Sequence, residues 1–328
     1  MRAIAPGRVN LIGDHTDYTG GLVFPMAINR HTVIDARFTD DSSVSLKSAD
    51  EPDAANFSLP MSDIPSLQPQ WARYIAAVAA ECKAIRGITG TVTTDIPIGS
   101  GLSSSAALEV AAALALGFNG SQQDLAKLAQ RAEHVATGVP TGIMDQLCIA
   151  SAQEHHAMLI DCSTLEIVHS PIPDECRIIV QFITHRTLQG SEYSDRVQQC
   201  KTAESIIGPL RLANIDMLEL IEDKNISKRA RHVITENQRV REFARALQSH
   251  DLQFAGKLMN DGHRSLADDF DTSTPTMDKA VEEIQKLPGV FGARMTGGGF
   301  GGCVVALCSH DANVPGWTVS AVGAARLA

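Results

Sequence analysis

The chain has 328 residues, 44% of them hydrophobic, and a formal net charge of −10. That charge repels nucleic acid and anionic lipid, so neither is an expected partner, and small molecules are expected instead. Seven cysteines with no C-x-x-C pair suit a reducing, cytoplasmic setting and exclude both a disulfide framework and a zinc site.

In chain order, Val9 to Ile12 and Leu22 to Ile28 read as strands joined by a polar turn from Gly13 to Gly21. Thr89 to Asp95 (TGTVTTD) predicts another strand, and an apolar helix follows from Ser104 to about Phe118, stopped by Asn119-Gly120. A second helix, from about Gln122 to His134, places Leu125, Leu128, Ala129 and Ala132 on one face. Leu159 to Cys162 reads as a strand closing the first half. Pro171 and Pro173 predict a boundary dividing the chain into residues 1–172 and 173–328. Beyond it, helices are expected around Glu192 to Ile207, Lys228 to Gln248 and Thr276 to Lys286, with strands over Val290 to Arg294 and Cys303 to Cys308. The mixed order predicts an α+β protein. The N-terminus lacks the apolar core of a signal peptide, and the stretch Ala106 to Phe118 is too short to span a bilayer and carries Glu109.

Three glycine-bearing segments carry the chemistry. Glycine and serine clusters commonly form plain turns, but Pro97 to Ala107 (PIGSGLSSSAA) stands between a strand and an apolar helix. There the bare backbone of Gly99 and Gly101 and the N–H groups that open the helix form a cradle for phosphate. No lysine follows these glycines, so this is not a Walker loop, and a Mg²⁺ ion is expected to neutralise charge. Ser105 and Glu133 are the candidate magnesium ligands. Thr296 to Gly302 holds five glycines in seven residues, which predicts a backbone that approaches a ligand closely, with Gly298 and Gly299 as candidates. Arg8 lies in an apolar strand and Asp145 among Gly142, Ile143 and Met144, and a buried charge needs a partner. Asp14, His15 and Asp17 are spaced to converge on a polyol, or else to cap their own turn. Together the segments imply a small-molecule kinase.

APGRVNLIGDHTDY (5–18), PIGSGLSSSAA, TGGGFGGC (296–303), HAMLIDC (156–162), GSEY (190–193) and RARH (229–232) make the chain resemble the galactokinases, members of the family of galactokinase, homoserine kinase, mevalonate kinase and phosphomevalonate kinase. The resemblance runs over nearly the whole length. It implies a two-domain sugar kinase, with an N-terminal domain like ribosomal S5 domain 2, a ferredoxin-like C-terminal domain and the active site in the cleft. It further implies transfer of phosphate from ATP to the C1 hydroxyl of galactose, with Asp145 as catalytic base and Arg8 beside it. Asp14, His15, Asp17, Gly142 and Tyr193 would hold the sugar. Pro97, Gly99, Ser100, Gly101, Leu102, Ser103, Ser104 and Ser105 would wrap the ATP phosphates, and Ser105 and Glu133 would hold magnesium. Asp14 stands where the family has glutamate reaching the C6 hydroxyl, and Gly262 replaces its usual serine. Related acceptors, L-arabinose or N-acetylgalactosamine, and a non-catalytic sugar sensor are the alternatives. A monomer or weak dimer is expected.

Overall fold

The computed structural model describes residues 1–185 and 191–328, so Gly190 of the GSEY segment lies outside the described residues. The first half runs β1 (Arg2–Asn10), β2 (Leu22–Val23), β3 (Pro25–Phe38), β4 (Ser43–Ser48), β5 (Ala55–Ser58), α1 (Ala72–Glu81), β6 (Ile88–Thr94), α2 (Ser104–Ala115), α3 (Gln122–Thr137), α4 (Met144–Ser151), β7 (His156–Asp161) and β8 (Glu166–Pro171). The second runs β9 (Cys176–Thr184), α5 (Ser191–Ile207), α6 (Lys224–Gln248), α7 (Leu252–Asp268), α8 (Pro275–Gln285), β10 (Val290–Thr296), β11 (Gly302–Ser309), β12 (Trp317–Val319) and β13 (Arg326–Leu327).

The described residues form three sheets. A six-stranded sheet has the order β13-β1-β3-β6-β4-β5, a four-stranded sheet β10-β11-β9-β12, and a small third sheet β2-β7-β8. Helix α2 packs against β1 and β3 and is covered by α1, α3 and α4. That burial on nearly every side explains its alanine-rich sequence, since Ala106, Ala107, Ala111, Ala112 and Ala113 are strong helix formers small enough to let neighbouring backbones approach. Helix α3 starts where Ser121 accepts the Asp124 N–H and ends at Gly138, whose φ of 72° gives the left-handed cap that glycine adopts without steric cost. In the second half, Asp223, Asp251 and Thr274 cap α6, α7 and α8 in the same way.

Apolar residues of α2, α3, α4 and the six-stranded sheet form one core, which also takes in Phe243, Leu258 and Val305 from the second half. A second core fills the space between α5, α8 and the four-stranded sheet, around Phe270, Met277 and Val304.

The α+β class holds, and so do the helices at 104, 122, 192, 228 and 276, with ends shifted by a few residues. Other expectations are corrected. Strand β1 begins at Arg2 and β3 continues to Phe38, because the same backbone that turns polar near the site continues as ordinary sheet beyond it. Helices α1, α4 and α7 and strand β9 had not been anticipated. The division at 172 and 173 is not clean, because the C-terminus returns to the first sheet. Leu327 pairs with Ala3, and Ala321 bridges to Ile28.

Candidate active site

The end of β1, the loop before α2 and the start of α4 converge on one cavity of about 990 Å³. Arg8, only 3% exposed, donates from Nε to Asp145 Oδ1 and from Nη2 to Asp145 Oδ2, both at 2.7 Å, and from Nη1 to the Gly101 carbonyl at 2.5 Å. Burial alone would push the guanidinium down, but its ion pair with Asp145 outweighs this and holds it above its ordinary value. Asp145 sits in the first turn of α4, a favourable place for a carboxylate. Ser103, at φ 62° before α2, donates its hydroxyl to Asp145 Oδ2 at 2.5 Å. The carboxylate is therefore held by three donors from two separate segments.

Beside this pair lie His15, Asp17, Gly142 and Tyr193, all lining the cavity. The His15 ring packs on Phe270, with centroids 4.7 Å apart, and on Tyr193 at 5.5 Å. A Cβ added to Gly142 would lie 1.8 Å from Asp17 Oδ2, so only glycine lets that carboxylate rest against the α3–α4 connection. Burial, aided by the nearby Asp145 charge, pushes the Asp17 carboxyl up to about 7. Asp14 lines the same cavity. It is 1% exposed, and its oxygens are engaged by Arg294 Nη2 at 2.7 Å and the Gly297 N–H at 2.9 Å.

Of the expected phosphate residues, Gly99, Gly101, Ser103, Ser104 and Ser105 face the cavity, joined by Ile98. Pro97, Ser100 and Leu102 do not, and here they shape the loop. Ser100 Oγ donates to the Pro97 carbonyl at 2.6 Å, and the buried Leu102 accepts the Arg8 N–H at 3.1 Å. Gly298 and Gly299 also line the cavity, with Gly297 and Phe300. In that segment Gly297, Gly299, Gly301 and Gly302 all take positive φ, which accounts for the density of glycine.

Ser105 Oγ donates to Glu133 Oε1 at 3.1 Å, while Glu133 Oε2 accepts from Thr141 Oγ1 at 2.9 Å and Gln146 Nε2 at 2.7 Å. Burial and the Asp145 charge raise the Glu133 carboxyl, so a cation at this position would be welcome. A hydroxyl and a carboxylate side by side are hard oxygen donors of the kind Mg²⁺ takes from protein when phosphates and water complete its shell. Among the described residues no cluster of three or more His, Cys, Asp or Glu forms a self-sufficient cation cage.

Sequence reasoning missed two groups. Trp71 and Tyr74, at the start of α1, line the cavity with Ser48, Val92 and Leu108. Their signal was the WARY segment, rich in aromatics for a chain with two tryptophans and three tyrosines. Arg294 was the other, a charge flanked by Ala293 and Met295 in a buried strand and hence in need of a partner.

The galactokinase galactose-binding signature matches residues 1–38, the GHMP kinases N terminal domain residues 72–153 and the GHMP kinases C terminal residues 243–315. The chain is 40% identical to the galactokinase of Actinobacillus succinogenes over 95% of this chain and 86% of that one. To the human galactokinase it is 42% identical over 94% and 83%. The structure of Lactococcus lactis galactokinase complexed with galactose superposes with a TM-score of 0.93 at 31% identity, covering 99% of this chain and 94% of the other. A mevalonate kinase superposes at 0.69 and 19% identity, which shows the shared fold. With the signature, the two kinase domains and relatives matched over most of their length, the chain belongs to the galactokinase family of the GHMP kinases.

Proposed function

We propose that this protein transfers the terminal phosphoryl group of ATP to the C1 hydroxyl of D-galactose, giving α-D-galactose 1-phosphate and ADP. The observation that carries this reading is the Arg8–Asp145–Ser103 cluster, which faces the same cavity as the phosphate loop and the Ser105–Glu133 pair.

Asp145 accepts the hydrogen of the attacking hydroxyl and orients its oxygen, while Arg8 and Ser103 fix the carboxylate. Because phosphoryl transfer has a loose transition state, this placement contributes more than the strength of the base. His15, Asp17 and Tyr193 hold the remaining sugar hydroxyls, with Gly142 giving Asp17 its room. Gly99, Gly101, Ser104, Gly298 and Gly299 surround the phosphates, and the Trp71–Tyr74 wall receives the base. Ser105 and Glu133 would hold Mg²⁺, which when bound supplies charge neutralisation on the phosphates. The protein is a cytoplasmic monomer or weak dimer on this reading, without a nucleic-acid or membrane partner. No helix among the described residues is long and apolar enough to cross a membrane.

The engagement of Asp14 by Arg294 favours a second acceptor, L-arabinose, which lacks C6 and so needs no contact there. ADP release measured across a sugar panel tests both readings. Turnover on galactose supports the first, equal turnover on arabinose adds the second, and robust turnover on arabinose with none on galactose overturns the first.

A further inference from the structure

A buried ion-pair cluster stands behind the sugar-side turn. Arg294, on β10, and Glu236, on α6, are both 0% exposed, and Asp14 is 1% exposed. Arg294 donates from Nη2 to Asp14 Oδ2 and from Nη1 to Glu236 Oε1, each at 2.7 Å. Each carboxylate also holds backbone. Asp14 Oδ1 accepts the N–H of Gly297, which opens the glycine segment on the phosphate side, and Glu236 Oε1 accepts the N–H of Gly13 at 3.0 Å. His232 Nε2 lies 3.1 Å from the Asp14 carbonyl, and Glu236 Oε2 takes a further bond from Arg239 Nε at 2.6 Å.

Helix α7 is shaped to admit this fork. A Cβ added to Gly262 would lie 2.8 Å from Arg294 Nη1 and 3.2 Å from Glu236 Oε2, so a side chain there would press on the guanidinium. Stability is a weak account of the cluster, because replacing a buried ion triad with apolar residues is often neutral or stabilising. What apolar packing could not supply is directional: Asp14, gripped by the Arg294 guanidinium, bonds the Gly297 N–H and so ties the residue before His15 to the glycine segment, two walls of one cavity contributed by opposite ends of the chain.

We infer that Arg294 is a positioning residue for the phosphoryl transfer, clamping Asp14 and Glu236 so as to set the spacing between the turn that carries His15 and Asp17 and the segment that begins at Gly297. This rests on the galactokinase reading. Asp14 then serves the sugar site from behind, as a strut.

The test compares wild type with Arg294→Lys, Asp14→Asn and Arg239→Lys, using steady-state kinetics in both substrates, calorimetric sugar and ATP affinities, and thermal melts. Arg239 belongs to the same cluster but has no bond to Asp14, which makes it the control for a purely structural role. Arg294→Lys, assayed well below its melting temperature, is expected to lose about ten- to a hundredfold in kcat/KM for the sugar, the scale of a misplaced substrate. Asp14→Asn keeps the shape while weakening the ion pair and should lose less in the same direction. Arg239→Lys should melt earlier and keep wild-type kcat and sugar KM.

Folded Arg294→Lys and Asp14→Asn with wild-type kinetics would overturn the inference, as would Arg239→Lys reproducing the kinetic loss. Should Arg294→Lys fail to fold, Asp14→Asn decides alone. Absence of galactose turnover in wild type counts against the activity reading instead. Positioning is then judged by calorimetry, with weakened ATP affinity expected in Arg294→Lys but not in Arg239→Lys, and equal affinities overturning it.

Discussion

Arg8 and Asp145, 137 residues apart in sequence, meet through two parallel hydrogen bonds of 2.7 Å. The fork fixes the plane of the carboxylate as well as its position, which a lysine at residue 8 would not do. Removing the charge while keeping the shape isolates the chemistry. Asp145→Asn is expected to bind galactose with near wild-type affinity in calorimetry while kcat falls by about 10²–10⁴-fold, the usual range for loss of a general base. A variant turning over at the parental rate would remove Asp145 from the mechanism.

Ser103 separates two roles that the sequence had merged. Its hydroxyl is directed at Asp145 Oδ2, so Ser103→Ala should lower kcat by about ten- to a hundredfold, in line with about 1.5–3 kcal/mol for a hydrogen bond to a charged group, and leave the ATP KM unchanged. A large rise in ATP KM at constant kcat would instead make the hydroxyl a phosphate contact.

The pH dependence of sugar binding should follow Asp17. In the free protein its carboxyl is raised to about 7, chiefly by burial, from an ordinary value of 3.8. The ionised form accepts hydroxyl hydrogens better, so galactose affinity should strengthen as pH rises from 6 to 8, and Asp17→Asn should flatten that trend while weakening binding. The stability effect has the opposite sign. A raised folded value gives a contribution fully present below 3.8 and lost as pH rises through about 7, so the ligand-free protein should gain relative melting temperature at pH 8 in Asp17→Asn. Titration calorimetry and melts at both pH values check the pair of outcomes.

Gly142→Ala tests the packing beneath that carboxylate. The new Cβ at 1.8 Å must drive Asp17 aside, so sugar KM is expected to rise by about tenfold or more, with a smaller effect on ATP KM. Wild-type sugar kinetics in this variant would show that Asp17 is free to move without consequence.

Glu109 offers a further pH test, beside the site, where its Oε2 accepts from Gln146 Nε2 at 3.2 Å. It is fully buried in α2, and burial, then the Glu133 charge, lifts its carboxyl well above the ordinary 4.5. Its stabilising contribution is therefore present below 4.5 and lost as pH rises through the raised folded value. Glu109→Gln should raise the melting temperature more at pH 8 than at pH 5. An equal shift at the two pH values would contradict this.

How much of this was legible in the sequence follows from where each signal resides. The phosphate loop and Arg8 were readable because strand, glycines and apolar helix occur consecutively, and because a lone charge in an apolar strand demands a partner. Asp145 was flagged on similar grounds, yet its helix was not, since α4 is only two turns long and buried on almost every side, leaving no amphipathic period to detect. Asp14 was assigned by its neighbours in sequence, whereas its partners come from residues 294 and 297 near the other end of the chain. The same long-range return of β13 to β1 blurred the domain boundary, because no local pattern reports which distant edge a two-residue strand will join.

The most direct test of the whole account is galactose-dependent ADP release by the purified protein with Mg²⁺, run beside Asp145→Asn and with the sugar product identified by phosphorus NMR. The expected result is one ADP for each α-galactose 1-phosphate in wild type and binding without turnover in the variant. A folded wild-type protein that binds both ATP and galactose yet releases no ADP would contradict it.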